Sequence, residues 1–122
     1  MDTFKVENDR INLSYNMQEC VDKLLECYKV CSLCLQHCLS MGGKHVTEEH
    51  ISAMIECEEM CQTSAEFLIN DSKFAHELCG ICARICDSCA DSCLEVDEND
   101  PTMKECARVC RETADACRIM EH

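Results

Sequence analysis

The chain has 122 residues, a formal charge of -13 at pH 7, one Pro, three Gly, no Trp and 15 Cys. That length suits one domain with its own core, and the scarcity of helix breakers favours helices throughout. The charge argues against nucleic acid and anionic lipid as partners, since both are bound by Lys and Arg that displace counterions, and no segment approaches the ~18 to 20 apolar residues of a membrane span.

In chain order, residues 1–13 are polar with scattered Phe4, Val6, Ile11 and Leu13. They are expected to form an N-terminal arm or short helix ahead of a domain at 14–122. Ser14 is the expected N-cap of a first helix from Tyr15 to Met41, which Gly42 and Gly43 end. Thr47, with Glu48 and Glu49 in the first turn, starts a second helix that continues to Ile69. Asn70, Asp71 and Ser72 make a tight turn into a third helix ending near Val96. Asp100 followed by Pro101 places a capping carboxylate before proline at the first helical position, and the fourth helix runs to about Met120. Helices of this length, roughly 30 to 40 Å each and joined by short loops, predict an all-α fold, an antiparallel up-down-up-down four-helix bundle.

The cysteines follow the helical period. Cys79, Cys82, Cys86, Cys89 and Cys93 are three and four residues apart, as are Cys27, Cys31, Cys34 and Cys38, with Cys20 seven residues earlier. Cys57 and Cys61 repeat the spacing on helix 2, and Cys106, Cys110 and Cys117 on helix 4. Such spacing puts each set on one helical face, where Leu or Ile would ordinarily lie. Leu24, Leu68, Ala75 and Met120 fall at one end of the column. Met41, His50, Met54 and Met103 fall at the other, next to Cys38, Cys93 and Cys106. Val21, Leu25, Leu35, Ile51, Ile55, Phe67, Leu78, Ile81, Ile85 and Val109 flank the stripes and are expected to hold the helices together. Leu25, Leu33 and Leu39 lie well off the stripe and suggest an oligomer interface.

One or two buried cysteines are ordinary small hydrophobes, but 15 on aligned stripes need another reason. A secreted disulfide scaffold is disfavoured by the odd number, by helical rather than loop positions, and by nearly parallel side-chain vectors. The first ten residues lack an apolar signal core, so a reducing cytoplasmic location is expected, where such spacing points to metal or redox chemistry. Two sulfurs about a near-linear ion are ~4.5 Å apart, within reach of a C-x-x-x-C pair. Cu(I) is the soft ion that accepts two or three thiolates. Buried thiolates need matching cations, so each ion must displace about one proton, giving on the order of 10 to 15 Cu(I). Zinc, with four ligands per site, wastes a continuous column, and a redox enzyme cycling Cys31/Cys34 or Cys79/Cys82 wants an exposed thiol of low pKa. No nucleophilic Cys/His/Asp arrangement and no phosphate-binding glycine loop is present, so a non-catalytic protein is expected.

Repeated C-x-x-x-C spacing, over roughly residues 15–120, resembles the cytosolic copper storage proteins, whose four-helix bundles are lined by thiols that bind many Cu(I) ions. The resemblance implies a homotetramer, copper entry at an end carrying His and Met, and exchange with a copper donor or acceptor protein. Helix 2 departs from that pattern with Ser64 and Leu68 below its two cysteines, and helix 4 with Thr113. The metal ligands are expected to be all 15 cysteines together with Met41, His50, Met54 and Met103. His45 is expected to be solvated in the loop over the opening, and His37, His76 and His122 to lie on the surface.

Overall fold

Three of the four helices begin where a side chain satisfies an otherwise unpaired backbone amide. In the computed structural model, which describes residues 13–121, Ser14 accepts a hydrogen bond from the Met17 amide at 3.2 Å and starts α1 (Tyr15–Met41). Thr47 accepts from His50 at 3.3 Å and starts α2 (Glu48–Ile69). The Asp100 carboxylate accepts from Thr102 at 2.8 Å and starts α4 (Pro101–Ile119), with proline in its first turn. Only α3 (Ala75–Val96) lacks such a cap; Ser72 instead accepts from the Phe74 amide within the turn before it. Asp71, with φ 55°, reverses the chain after α2 in a conformation that Asp tolerates better than most residues.

Each helix packs on the next in sequence, and α4 returns to α1, giving a four-membered ring. Connections this short make neighbouring helices antiparallel. The expected arm at 1–13 lies outside the described residues apart from Leu13, which packs against the core. Among the described residues, no helix is long and apolar enough to cross a membrane.

Val21 and Val109 are buried and Leu35, Ile51, Phe67 and Ile85 pack against the core, as expected, but other seam positions differ from the sequence expectation. Leu25, Ile55 and Ile81 are exposed, whereas Ala65, Ala83, Ala90, Ala107 and Ala114 are buried. The register explains the exchange. Sulfur needs the helix axes close enough for opposing thiols to touch, and small residues beside the stripe permit that approach where Leu or Ile would wedge the helices apart. Along the outside of the α3/α4 seam, Arg111 pairs with Asp87 and Asp91, and Arg118 with Asp87. Exposed pairs of this kind contribute only about 0.2 to 1 kcal/mol each, so they orient the seam more than they hold it.

The loop between α1 and α2 is built on two glycines. Gly42 and Gly43, at φ 70° and 56°, adopt the left-handed conformation that glycine accepts without a Cβ penalty. They turn the chain into a short 3-10 helix, Gly43–Val46, that folds back over the end of the bundle.

Candidate metal centre

All 15 cysteines are buried and unbridged. Their thiols form a continuous column. Toward the end closed by Leu24, Leu68 and Met120, the sulfurs of Cys20, Cys79 and Cys117 cluster within 4.8 Å of one another. In the middle, Cys61 lies 3.6 Å from Cys86 and 3.9 Å from Cys82, while Cys57 is 3.8 Å from Cys86 and 3.7 Å from Cys31. Cys27 and Cys110, 3.8 Å apart, complete this layer. Beyond it Cys31, Cys89, Cys106 and Cys110 make a further group.

The decisive property of these groups is that they share members. Cys27 and Cys57 belong both to the tetrad with Cys61 and Cys86 and to the tetrad with Cys31 and Cys110; Cys31 and Cys110 recur with Cys89 and Cys106. A sulfur in two groups serves two ions only by bridging them. Distances within the column, 3.6 to 3.9 Å, are close to the ~4.0 Å edge of a three-coordinate site with ~2.3 Å bonds. They are roughly 0.6 to 0.9 Å short of the ~4.5 Å of a linear pair, a gap that side-chain rotation can open.

The end beneath the α1–α2 loop mixes donors. His50 is buried, and its Nε2 lies 3.2 Å from the Cys38 sulfur while its Nδ1 meets Ser92 Oγ at 2.8 Å. Met103 sulfur is 3.9 Å from Cys38, and Met54 sulfur lies 3.5 Å from Cys89 and 3.7 Å from Cys93. Met54 is thus part of the column wall, one turn deeper than His50. Cys34 lies toward the seam with α4, its sulfur 3.8 Å from the Thr102 carbonyl oxygen.

Burial sets the charge state here. It pushes the Cys38 thiol up to about 11, with Cys106 and Asp100 adding to the effect, and it pulls the His50 imidazole below its ordinary value. Cys93 is pushed up by Cys106 and Cys89 and then by burial. Near neutral pH Cys38 and Cys93 therefore present neutral thiols beside a neutral His50 imidazole. Both are soft enough for Cu(I), and the thiol must give up its proton to bind it.

Two placements correct the sequence reading. Met41 is 55% exposed rather than on the inner face. Cys38 is already level with His50 and Met103, in the first turns of α2 and α4, so a residue a turn beyond has no helix opposite it. His45, expected in solvent, is 3% exposed. The 3-10 turn brings its Nε2 to 3.1 Å from Asp100 Oδ2, which also meets His37 Nε2 at 2.9 Å. His37 is accordingly half-buried, not a free surface residue. His76 is exposed, as expected, with Nδ1 2.5 Å from the Met120 carbonyl oxygen. His122 lies outside the described residues.

The His37–His45–Asp100 group escaped the sequence reading because its members are separated in the chain and Asp100 already had a reason to be present as a cap. Its only advance sign was the glycine pair that turns the loop inward. The carboxylate joins the end of α1, the loop and the start of α4 over that end of the column. Hydrogen bonding from His37, opposed by burial and reinforced by the Thr102 amide and His45, brings Asp100 down to about 2.

The sequence model of the copper storage protein family (Csp) matches residues 13–122. The uncharacterized cysteine-rich protein YhjQ of Bacillus subtilis (strain 168) is 31% identical over 80 residues, spanning 62% of this chain and 70% of its own length. Among solved structures, the Nmul_A1745 protein from Nitrosospira multiformis superposes with a TM-score of 0.80 at 44% identity, covering 87% of this chain and 94% of that one. The Cu(I)-bound copper storage protein BsCsp3 superposes with a TM-score of 0.81 at 28% identity, covering 88% of this chain and 99% of that one.

The Asp100 arrangement has a pH signature. Its pKa is about 2 in the folded chain and ~3.9 when unfolded, so its contribution is complete above the unfolded value and disappears as pH falls through the folded one. An Asp100→Asn variant should be less stable by about 1 to 2 kcal/mol at pH 6, and the deficit should vanish near pH 2. Denaturant melts across that range measure it; a deficit independent of pH would contradict the assignment.

Proposed function

The chain belongs to the copper storage protein family, and from that premise we propose that it is a non-catalytic cytoplasmic store and buffer that holds many Cu(I) ions inside its bundle. The observation that carries this reading is the sharing of sulfurs between neighbouring groups, all sealed from water. Ions that accept two or three thiolates can occupy successive groups through bridging sulfurs, whereas tetrahedral zinc sites that each kept four sulfurs to themselves would leave the overlapping groups between them empty. A redox role is poorly served, because no thiol is placed where a substrate can reach it.

The proposed ligands are the 15 cysteines, with Met54 and His50 as auxiliary donors at the opening and Met103 beside them. Met41, pointing to solvent, is left only a transient part in meeting an incoming ion. Copper enters past His50 and Met54 because the opposite end offers only apolar side chains. Weak soft donors accept the ion from a donor protein and pass it to the thiolates beneath. Family resemblance, together with Leu33 and Leu39 at 64% and 54% exposure, supports assembly as a homotetramer.

Anaerobic titration against a competing chelator, with mass spectrometry and sedimentation of the same sample, tests the reading. Uptake on the order of 10 to 15 Cu(I) per chain, far tighter than Zn(II), in a tetramer with unchanged far-ultraviolet circular dichroism is expected. Saturation at one or two ions would overturn storage, and a monomer would overturn only the assembly. For the entry route, a His50→Ala/Met54→Leu double variant should load and unload more slowly at nearly unchanged capacity. Wild-type rates in that variant, with altered rates in Leu24 and Leu68 variants, would place the gate at the closed end.

A further inference from the structure

Ser64 occupies a ligand position without being a ligand of the usual kind. It lies three residues after Cys61 on α2, on the column face, and is 0% exposed. Its Oγ has no hydrogen-bond partner, the one such side-chain atom among the described residues. The contrast with Thr113 is informative. That hydroxyl also interrupts a cysteine stripe, yet it donates to the Val109 carbonyl one turn back at 2.8 Å, the usual escape for a buried helical hydroxyl. Ser64 could make the same bond to its own helix and does not.

A buried hydroxyl left unpaired is costly, and native proteins rarely carry one without a reason. Its surroundings supply one. Cys61, three residues before Ser64 on the same face, lies 3.9 Å from the Cys82 sulfur and 3.6 Å from that of Cys86. In the empty column none of those sulfurs accepts a hydrogen bond from the Ser64 hydroxyl. When Cu(I) binds, the S–H bond breaks, its proton leaves to solvent, a Cu–S bond forms and no electron is transferred. The sulfur then carries anionic character and accepts strongly. Resting on the storage reading above, we propose that Ser64 is a positioning residue for the loaded state: its hydroxyl donates to a copper-bound sulfur of the neighbouring Cys61, Cys82 and Cys86 group and is left unsatisfied in the empty protein as the cost of that later bond.

The proposal predicts opposite effects on the two states, which a packing role does not. Ser64→Ala should raise the melting temperature of the copper-free protein by about 3 to 5 °C, by removing the unpaired group. The same substitution should make one equivalent of copper bind about tenfold more weakly in chelator competition, with total capacity unchanged. Ser64→Cys, which puts a sulfur at the same point, should raise capacity by about one ion. An unchanged copper curve in Ser64→Ala, or a lower melting temperature of its empty form, would overturn the proposal, as would Ser64→Cys without added capacity. Wild-type protein titrated alongside separates the two claims: saturation at one or two ions overturns storage and this role with it, whereas normal wild-type loading beside an unaffected Ser64→Ala curve overturns only the role of Ser64.

Discussion

Removing 15 sulfurs from water imposes one constraint on everything else in this bundle: the column must be electrically neutral, empty or full. Isolated buried thiolates are too costly to hold, and a column without cations meets that cost by keeping protons on its sulfurs. A monovalent ion that exchanges for one proton leaves the sum of charges unchanged. A divalent ion on the same sulfurs would either add charge to the interior or require two thiolates for every ion. Neutrality therefore favours Cu(I) on grounds separate from its preference for sulfur.

The architecture serves that constraint. Helices long enough to present several turns of one face stack the thiols, and buried alanines beside the stripes bring opposing sulfurs to 3.6 to 3.9 Å. Leu24, Leu68, Val109 and the alanines supply the apolar packing between the helices. The ends differ in chemistry. One is apolar, and the other sets imidazole and thioether against Cys38 beneath a loop tied down by Asp100.

Most of this organisation is visible in the order of residues because it is periodic. Cysteines at three and four, Ser14, Thr47 and Asp100 as caps, and the glycine pair after Met41 are local signals, and the helices begin and end where those signals put them. What sequence reading missed depends on where the helices stop relative to one another. Met41 was placed inside by continuing a period past the point where α2 and α4 offer anything to face it. Local hydrophobicity cannot show that His45 is buried, since its partner Asp100 lies 55 residues away and is brought near by the closure of the ring. Likewise, Ile55 and Ile81 read as seam residues by their hydrophobicity, but the close approach of sulfur-lined helices leaves them exposed and sets alanines at several seam positions.

The central claim, that the interior stays neutral by exchanging protons for copper one for one, is tested most directly by counting protons released during anaerobic Cu(I) loading in weakly buffered solution near pH 7. About one proton should appear per copper across nearly the whole titration, continuing until the thiols are spent. Release of few or no protons would show that the thiols are already ionised in the empty bundle, and two per copper would show that the sulfurs are not shared; either result contradicts the account.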